Sequence, residues 1–385
     1  MGKENVVPLI RQSRPIDITQ PVQSDDVRGR TILITGGASG FGAAFARHWA
    51  RHGAHVIVGD IQDAAGEAQA AERRTTPGAS PHQHYRHCDV ASWESQAAFF
   101  RDAVALSPHG GIDAVVANAG IADTDFAFCR AQDKKNEANG DVGGPGPAKP
   151  NLGCLEVNLI GVAYTAHLAM YWLSRNPGSS PNDLGKPRTP GHLRDRHLLL
   201  LGSVASLWPV ALSTQYATSK HAVLGLFRSL RGVAGWQFGI RINMLCPYII
   251  ATPIFPPIAR LALAGSAGGT VDAVVEAGTR FMANTSIVGR ALVVGPKVRV
   301  KEDNEVIEVT ELLQGTDVPT GSSSGGEGSR VASSWEVYAY DYELVDMSNR
   351  RILKMLNQIE AMRGWAGFSR DIVVSVALML GLVKD

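Results

Sequence analysis

The chain has 385 residues, 45% of them apolar and only 19% charged, so it can bury a large core and is neither a disordered nor a fibrous polymer. Its 37 Lys and Arg against 36 Asp and Glu leave a net charge of +1, which argues against a nucleic-acid partner because no summed basic field exists to hold one. Cys88, Cys129, Cys154 and Cys246 lie far apart without CxxC or Cys/His spacing, so neither a metal site nor a disulfide scaffold is expected, and a reducing, cytoplasmic compartment fits.

Residues 1–28 form a polar, Pro-broken arm without the apolar run of a secretory leader, and Val6 breaks the pattern for myristoylation. Buried strands and helices then alternate. Thr31–Thr35 is a short β-branched strand followed by a Gly-rich turn and a helix over Phe41–His52. Strands follow at His55–Asp60 and His84–Asp89, then a helix over Ser92–Leu106 with Phe99 and Phe100 on its apolar side. Further strands are predicted at Asp113–Asn118, Leu198–Leu201 and Gly239–Leu245. Continuous apolar strands with helices between them mean a parallel sheet covered on both faces, that is, a doubly wound α/β (Rossmann) fold.

Lys134–Pro150 and Asn176–Gly191 are rich in Gly, Pro and polar residues and are predicted as surface insertions, near 130–150 and 176–196. Thr316–Arg330 has the composition of a flexible loop. Around it, Ala291–Val300 and Val306–Leu312 are expected to pair, and Trp335–Leu344 to form one more strand. Ser348 is placed to cap a helix with Ile352, Met355, Leu356, Ile359 and Met362 on one face. The apolar run Ile372–Val383 spans about 18 Å as a helix, short of a bilayer core of about 30 Å. It is expected to pack on the domain or a partner subunit, with a membrane-surface foot as the alternative. The expected organisation is therefore one domain over 29–300 and an appendage, 301–385, packed on it.

Chemistry first shows in the turn after the first strand. In Thr35-Gly-Gly-Ala-Ser-Gly-Phe-Gly42, Gly36, Gly40 and Gly42 allow a tight turn, close backbone approach and close helix packing. The helix N-terminus then offers N–H groups and positive dipole to a pyrophosphate. Asp60 ends the second strand, eighteen residues beyond Gly42, where a carboxylate accepts both ribose hydroxyls of NAD and repels a 2′-phosphate. NAD is the expected cofactor.

TGGASGFG resembles the cofactor loop of the short-chain dehydrogenase/reductase family. Asn118-Ala119-Gly120 is similar to that family's NAG signature, and Tyr216-Ala-Thr-Ser-Lys220 to its Tyr-x3-Lys element. Ser203 and Asn158 stand where the family carries its catalytic serine and its proton-relay asparagine. The match spans roughly residues 29–253 and resumes at Gly289–Gly295 as a last core strand. The resemblance implies cofactor contacts at Gly36, Ser39, Gly40, Phe41 and Gly42, at Asp60 and Ile61, and at Asp89 and Val90 beside the adenine. It implies further contacts at Asn118, Ala119, Gly120, Tyr216, Lys220, Pro247, Ile250 and Thr252. For Asn118 a purely structural turn is an open alternative. Tyr248 replaces the Gly that usually follows this proline, which leaves Ile250 and Thr252 open as contacts.

The implied chemistry is hydride transfer between an alcohol and NAD, with Tyr216 taking the alcohol proton. A free tyrosine has a pKa of about 10. Lys220, four residues on and on the same helical face, together with the nicotinamide charge, is expected to favour the phenolate. Ser203 would hold the substrate oxygen, Lys220 the nicotinamide ribose, and Asn158 a water leading to solvent. Ser206 is a rival to Ser203 that fits the spacing less well.

Ala205 and Trp208, with Tyr248 and Phe255, are the expected substrate-pocket residues beside Ser203. The stretches 207–212 and 248–258 contain no Arg or Lys, so no clamp for a carboxylate or phosphate is expected. That points to a lipophilic secondary alcohol or ketone, steroid-, terpenoid- or polyketide-like, of the kind handled in secondary metabolism. Two alternatives stay open: a catalytically silent NAD-binding sensor or scaffold, and an epimerase working through a transient ketone. By resemblance the chain is expected to be a homodimer or homotetramer.

Overall fold

Strands β1 (Thr31–Thr35), β2 (His55–Asp60), β3 (Gln83–His87), β4 (Ala114–Ala117), β5 (His197–Leu201), β6 (Arg241–Pro247), β7 (Ala291–Lys301) and β8 (Ser329–Val337) form one sheet. Its order is β3-β2-β1-β4-β5-β6-β7-β8. The first seven strands run parallel and β8 is antiparallel to β7. The computed structural model describes residues 12–18, 20–123, 150–181, 194–208, 210, 213–254, 268–301 and 329–338, with Met355, Gln358 and Met362 as further helical positions. Residues 12–339 make up one compact unit, and residues 1–11 with 340–385 a second. Phe255, Val306–Leu312, the cap at Ser348 and the apolar run Ile372–Val383 lie outside the described residues.

The apolar strands are explained by cover on both sides. Leu33, Ile57, Val115 and Leu198 face helices α3 (Trp93–Leu106), α4 (Val162–Ser174) and α5 (Thr214–Phe238), among Phe99, Phe100, Leu173 and Phe227. Ile32, Ile34, Val56 and Val58 face the other way, towards α1 (Gly40–Arg51), α2 (Asp63–Thr75) and α6 (Val271–Ala283), with Phe45, Trp49 and Phe281. Trp49 stacks on Phe45 at 4.8 Å, and its indole N–H donates to Thr279 Oγ1 at 2.9 Å, so this large ring is buried without an orphaned donor. Ser92 and Thr270 cap α3 and α6 by accepting from the N–H groups of Ser95 and Ala273. Among the described residues, no helix is long and apolar enough to cross a membrane.

Two departures from the sequence reading matter. First, β7 pairs with Ser329–Val337, Val293 lying opposite Trp335, so the strand around Trp335 begins and ends earlier than its alternation suggested. Secondly, the flanks of the second proposed insertion are core. Asn176 and Asp195 are buried at the amino ends of the strands, where Asn176 Nδ2 donates to Asp113 Oδ1 at 2.9 Å. There Arg241 donates to Asp195 at 2.6 Å and Arg30 at 3.3 Å, while Arg194 bonds Asp113 at 2.7 Å. Burial alone would raise the Asp195 carboxyl, but Arg241 and Arg30 hold it below the ordinary carboxylate range.

Candidate active site

The chain leaves β1 towards β2 and β3, then crosses back to β4, and this reversal opens a crevice of about 200 Å³ at the carboxyl ends of the strands. Its floor is the glycine loop. The Gly36 N–H donates to Gly59 O at 2.7 Å, tying the loop to β2. A Cβ on Gly42 would lie 2.4 Å from Gly36 O and 2.5 Å from Asn118 Nδ2, so no side chain fits in that turn of α1. Ser39 sits at the N-cap in extended conformation, and its hydroxyl makes no capping bond to the helix. Gly40 takes φ +54°, and a Cβ there would project into the crevice, its nearest neighbour Thr252 Cβ 4.0 Å away. Open backbone at a helix N-terminus fits a pyrophosphate.

Asp60 closes one end of the crevice and is 6% exposed. Its carboxylate accepts from the N–H groups of Ala38 at 2.9 Å and Gln62 at 3.0 Å, which fixes both oxygens and leaves each with a further lone pair. Ile61 stands 62% exposed beside it. Phe41, Val90, Ala119 and Gly120 line the walls, as does Asp89, whose Oδ1 accepts from Ala91 N at 2.9 Å. Asn118 donates to Thr35 O at 3.0 Å and Gly36 O at 2.7 Å, so its side chain splices β4 to the glycine loop. Thr252 borders the crevice, whereas Ile250 packs into the core with Phe45 and Phe281.

Ser203, Tyr216 and Lys220 come together beyond Gly120. Lys220 reaches Gly120 from α5: a Cβ on that glycine would be 3.6 Å from Nζ. Ser203 leaves β5 as the N-cap of a short turn, Val204–Ser206, where its Oγ accepts from Ala205 N at 3.1 Å and Ser206 Oγ accepts from Ser203 N at 3.2 Å. Ser206, the sequence rival, therefore holds the backbone of Ser203. The Tyr216 phenol has the Ser203 side chain beside it, and Lys220 Nζ lies 5.7 Å from the tyrosine ring centre. Burial holds the phenol above its ordinary value, and the neighbouring Ser203 hydroxyl pulls the other way. Burial brings the Lys220 ammonium down to about 8. The thiols of Cys154 and Cys246, pushed up by burial to about 11 and about 12, stay neutral beside it.

Asn158 is fully buried in a single π turn, Glu156–Gly161, that leads into α4. Its Oδ1 accepts from Ile121 N at 2.8 Å, and its Nδ2 donates to Ile121 O at 2.8 Å and to Ser219 Oγ at 3.3 Å. The side chain thus ties the segment after Gly120 to the helix that carries Tyr216 and Lys220. Ser219, which the sequence reading passed over, also donates to Tyr216 O at 2.7 Å; its position three residues after Tyr216 on one helical face was the available signal. Ala205 is buried under the Ser203 turn, and Trp208 meets Tyr248 edge to face at 5.7 Å. Among the described residues, no three His, Cys, Asp or Glu side chains gather as a metal site.

Comparison with known proteins agrees with this architecture. The sequence model described as short chain dehydrogenase matches residues 30–179 and 197–260. The chain is 34% identical over 290 residues, 74% of its length and 89% of the relative's, to 5′-hydroxyaverantin dehydrogenase of Emericella nidulans. It is 31% identical over 245 residues, 63% of its length and 78% of the relative's, to an NADP-dependent dehydrogenase of Cochliobolus lunatus. The crystal structure of 3-ketoacyl-(acyl-carrier-protein) reductase from Brucella melitensis complexed with NADH superposes with a TM-score of 0.53 at 21% identity, covering 70% of this chain and 98% of that one, which is a likeness of fold. With more than half its length matched, and a glycine loop, a Ser-Tyr-Lys cluster and a reversing parallel sheet to agree with the match, this chain belongs to the short-chain dehydrogenase family.

Proposed function

We propose that this protein is an NAD(H)-dependent dehydrogenase that interconverts a lipophilic secondary alcohol and its ketone, with Tyr216 as the acid/base. One observation carries this reading: a serine, a tyrosine and a lysine converge at the carboxyl edge of β5, next to a crevice whose far end is a fixed carboxylate. The glycine loop and the first turn of α1 would hold the pyrophosphate, Asp60 the adenosine ribose and Lys220 the nicotinamide ribose. A bound nicotinamide supplies the hydride acceptor and, when oxidised, a positive charge.

Ser203, beside the phenol, orients the substrate oxygen, so that the alcohol proton has a short path to Tyr216 Oη. The charged Lys220 ammonium favours the phenolate electrostatically against the cost of burial. Asp60 supports NAD over NADP because a 2′-phosphate would meet a buried carboxylate, although a relative is named as NADP-dependent. A lipophilic substrate is supported by the lack of Arg and Lys in 207–212 and 248–258, and by the polyketide-like option that a relative named for 5′-hydroxyaverantin keeps in view. The same reading has two copies pairing through α5 and α4, whose Tyr171 is exposed.

The test is parallel assay of secondary alcohols with NAD and NADP, following reduced cofactor and product. Tyr216→Phe is expected to lose turnover by about 1,000-fold or more while keeping dinucleotide binding. Unchanged turnover in that variant would sink the reading.

A further inference from the structure

We propose that Trp208 and Tyr248 form an aromatic platform that selects a flat, multi-ring substrate, and that Trp335 on β8 is the positioning residue that sets the Tyr248 ring. The proposal rests on the dehydrogenase reading above and names the substrate class of that same site.

Trp208 belongs to the turn that positions the catalytic hydroxyl. Its backbone N–H donates to Val204 O at 3.0 Å, directly after the doubly capped Ser203–Ser206 turn, so the indole has a fixed root five residues from Ser203. Even so, it stands 42% exposed. A large aromatic held on rigid backbone yet left open to solvent forgoes burial, and a ligand face is one use for it. Tyr248 approaches from the end of β6, its N–H donating to Val294 O at 2.7 Å. The two rings meet edge to face, 5.7 Å apart and 77° between planes, which fixes their mutual angle.

The support behind Tyr248 comes from the far end of the chain. Trp335, 6% exposed, stands on β8 opposite Val293 of β7. A Cβ on Gly295 would fall 3.1 Å from Trp335 Cη2 and 3.2 Å from Tyr248 Cβ, so the indole and the tyrosine close over a backbone bare of side chain. The β-strand that follows the ordinary family fold thus buttresses a ring at the substrate end of the site. Aromatic edges and faces discriminate by quadrupole, favouring another flat ring over an alkyl chain of equal area, and a neutral one where no cation stands ready.

The experiment compares a naphthyl methyl carbinol with an alkyl methyl carbinol of matched carbon count. In Trp208→Ala the ratio of kcat/KM for the naphthyl over the alkyl substrate is expected to fall about tenfold, through KM rather than kcat. Trp335→Leu is expected to lower the same ratio, and Trp335→Phe, which keeps a ring, to restore most of it. Independently of turnover, the naphthyl ketone should quench tryptophan fluorescence of the wild-type protein more than that of Trp208→Ala. Equal losses for the two carbinols, or an unchanged ratio with unchanged quenching, overturn the platform. If Tyr216→Phe keeps turnover, the dehydrogenase reading falls by itself, because quenching in that variant still reports the platform.

Discussion

The Lys220 ammonium lies 3.0 Å from the carbonyl oxygen of Leu201, at the end of β5, so the cation that serves the site is seated on the sheet itself. Burial lowers its pKa to about 8 from 10.5. Between those values the unfolded chain binds this proton more tightly than the folded one, so without added dinucleotide stability should rise with pH across that window. Dinucleotide hydroxyls that accept from the ammonium select its protonated form. Affinity for NAD should therefore fall as pH climbs past about 8, approaching tenfold per unit, and Lys220→Met should flatten both profiles. Denaturant titration and cofactor binding at a series of pH values check the two signs.

Gly40 and Gly42 separate two uses of glycine. Gly42→Ala places a methyl 2.4 Å from Gly36 O, and loss of both folding stability and cofactor binding is expected. Gly40→Ala meets open crevice, so it should cost about 1 kcal/mol of stability from its φ of +54° while weakening dinucleotide binding by more than tenfold. Melting temperature and binding isotherms, measured side by side, distinguish the pair.

Asp60→Ala removes the acceptor of two backbone N–H groups and the barrier to a 2′-phosphate at once. Stability should drop by about 1–3 kcal/mol. The preference for NADH over NADPH should shrink at least tenfold, and the readout is the ratio of the two dissociation constants. A preference that holds in the variant would show that selection lies elsewhere.

Asp195→Asn tests the polar cluster at the opposite edge of the sheet. It leaves the buried Arg241 and Arg30 guanidiniums without their counter-charge, and a loss of about 3–5 kcal/mol is expected in chemical denaturation. In the parent protein the carboxyl is held below its ordinary range, so its contribution is present above the unfolded value of 3.8 and fades only as pH falls through the depressed folded value. The variant should therefore lose part of the parent's dependence of stability on acid.

The strands next to the crevice were legible because both of their faces are covered: Thr31–Thr35 and His55–Asp60 each have an apolar centre that is buried on both sides, and the observed bounds coincide with those read from the residues. The order of glycines, Asp60, Ser203, Tyr216 and Lys220 was legible as a pattern of types and spacings. What depends on long-range contact was not. Asn176 and Asp195 flank a Gly- and Pro-rich stretch, yet they are buried because arginines and Asp113 from other strands complete their hydrogen bonds. The partner of β7 is chosen across a long connection by a packed Trp335, which no local alternation announces. The raised phenol of Tyr216 arises from burial, whereas spacing to Lys220 speaks only to charge.

Glu336 joins three parts of the chain made at very different moments. Its Oε2 accepts from Ile16 N at 2.7 Å, and Arg290, just before β7, pairs with its other oxygen at 3.4 Å, both side chains being 2% exposed. During synthesis the amino-terminal residues emerge first, and the carboxylate that anchors them emerges more than three hundred residues later. Until β8 is in place, the outer edge of β7 is open to pairing with other chains. The place of the amino-terminal segment thus depends on the strand that lies furthest from it in sequence.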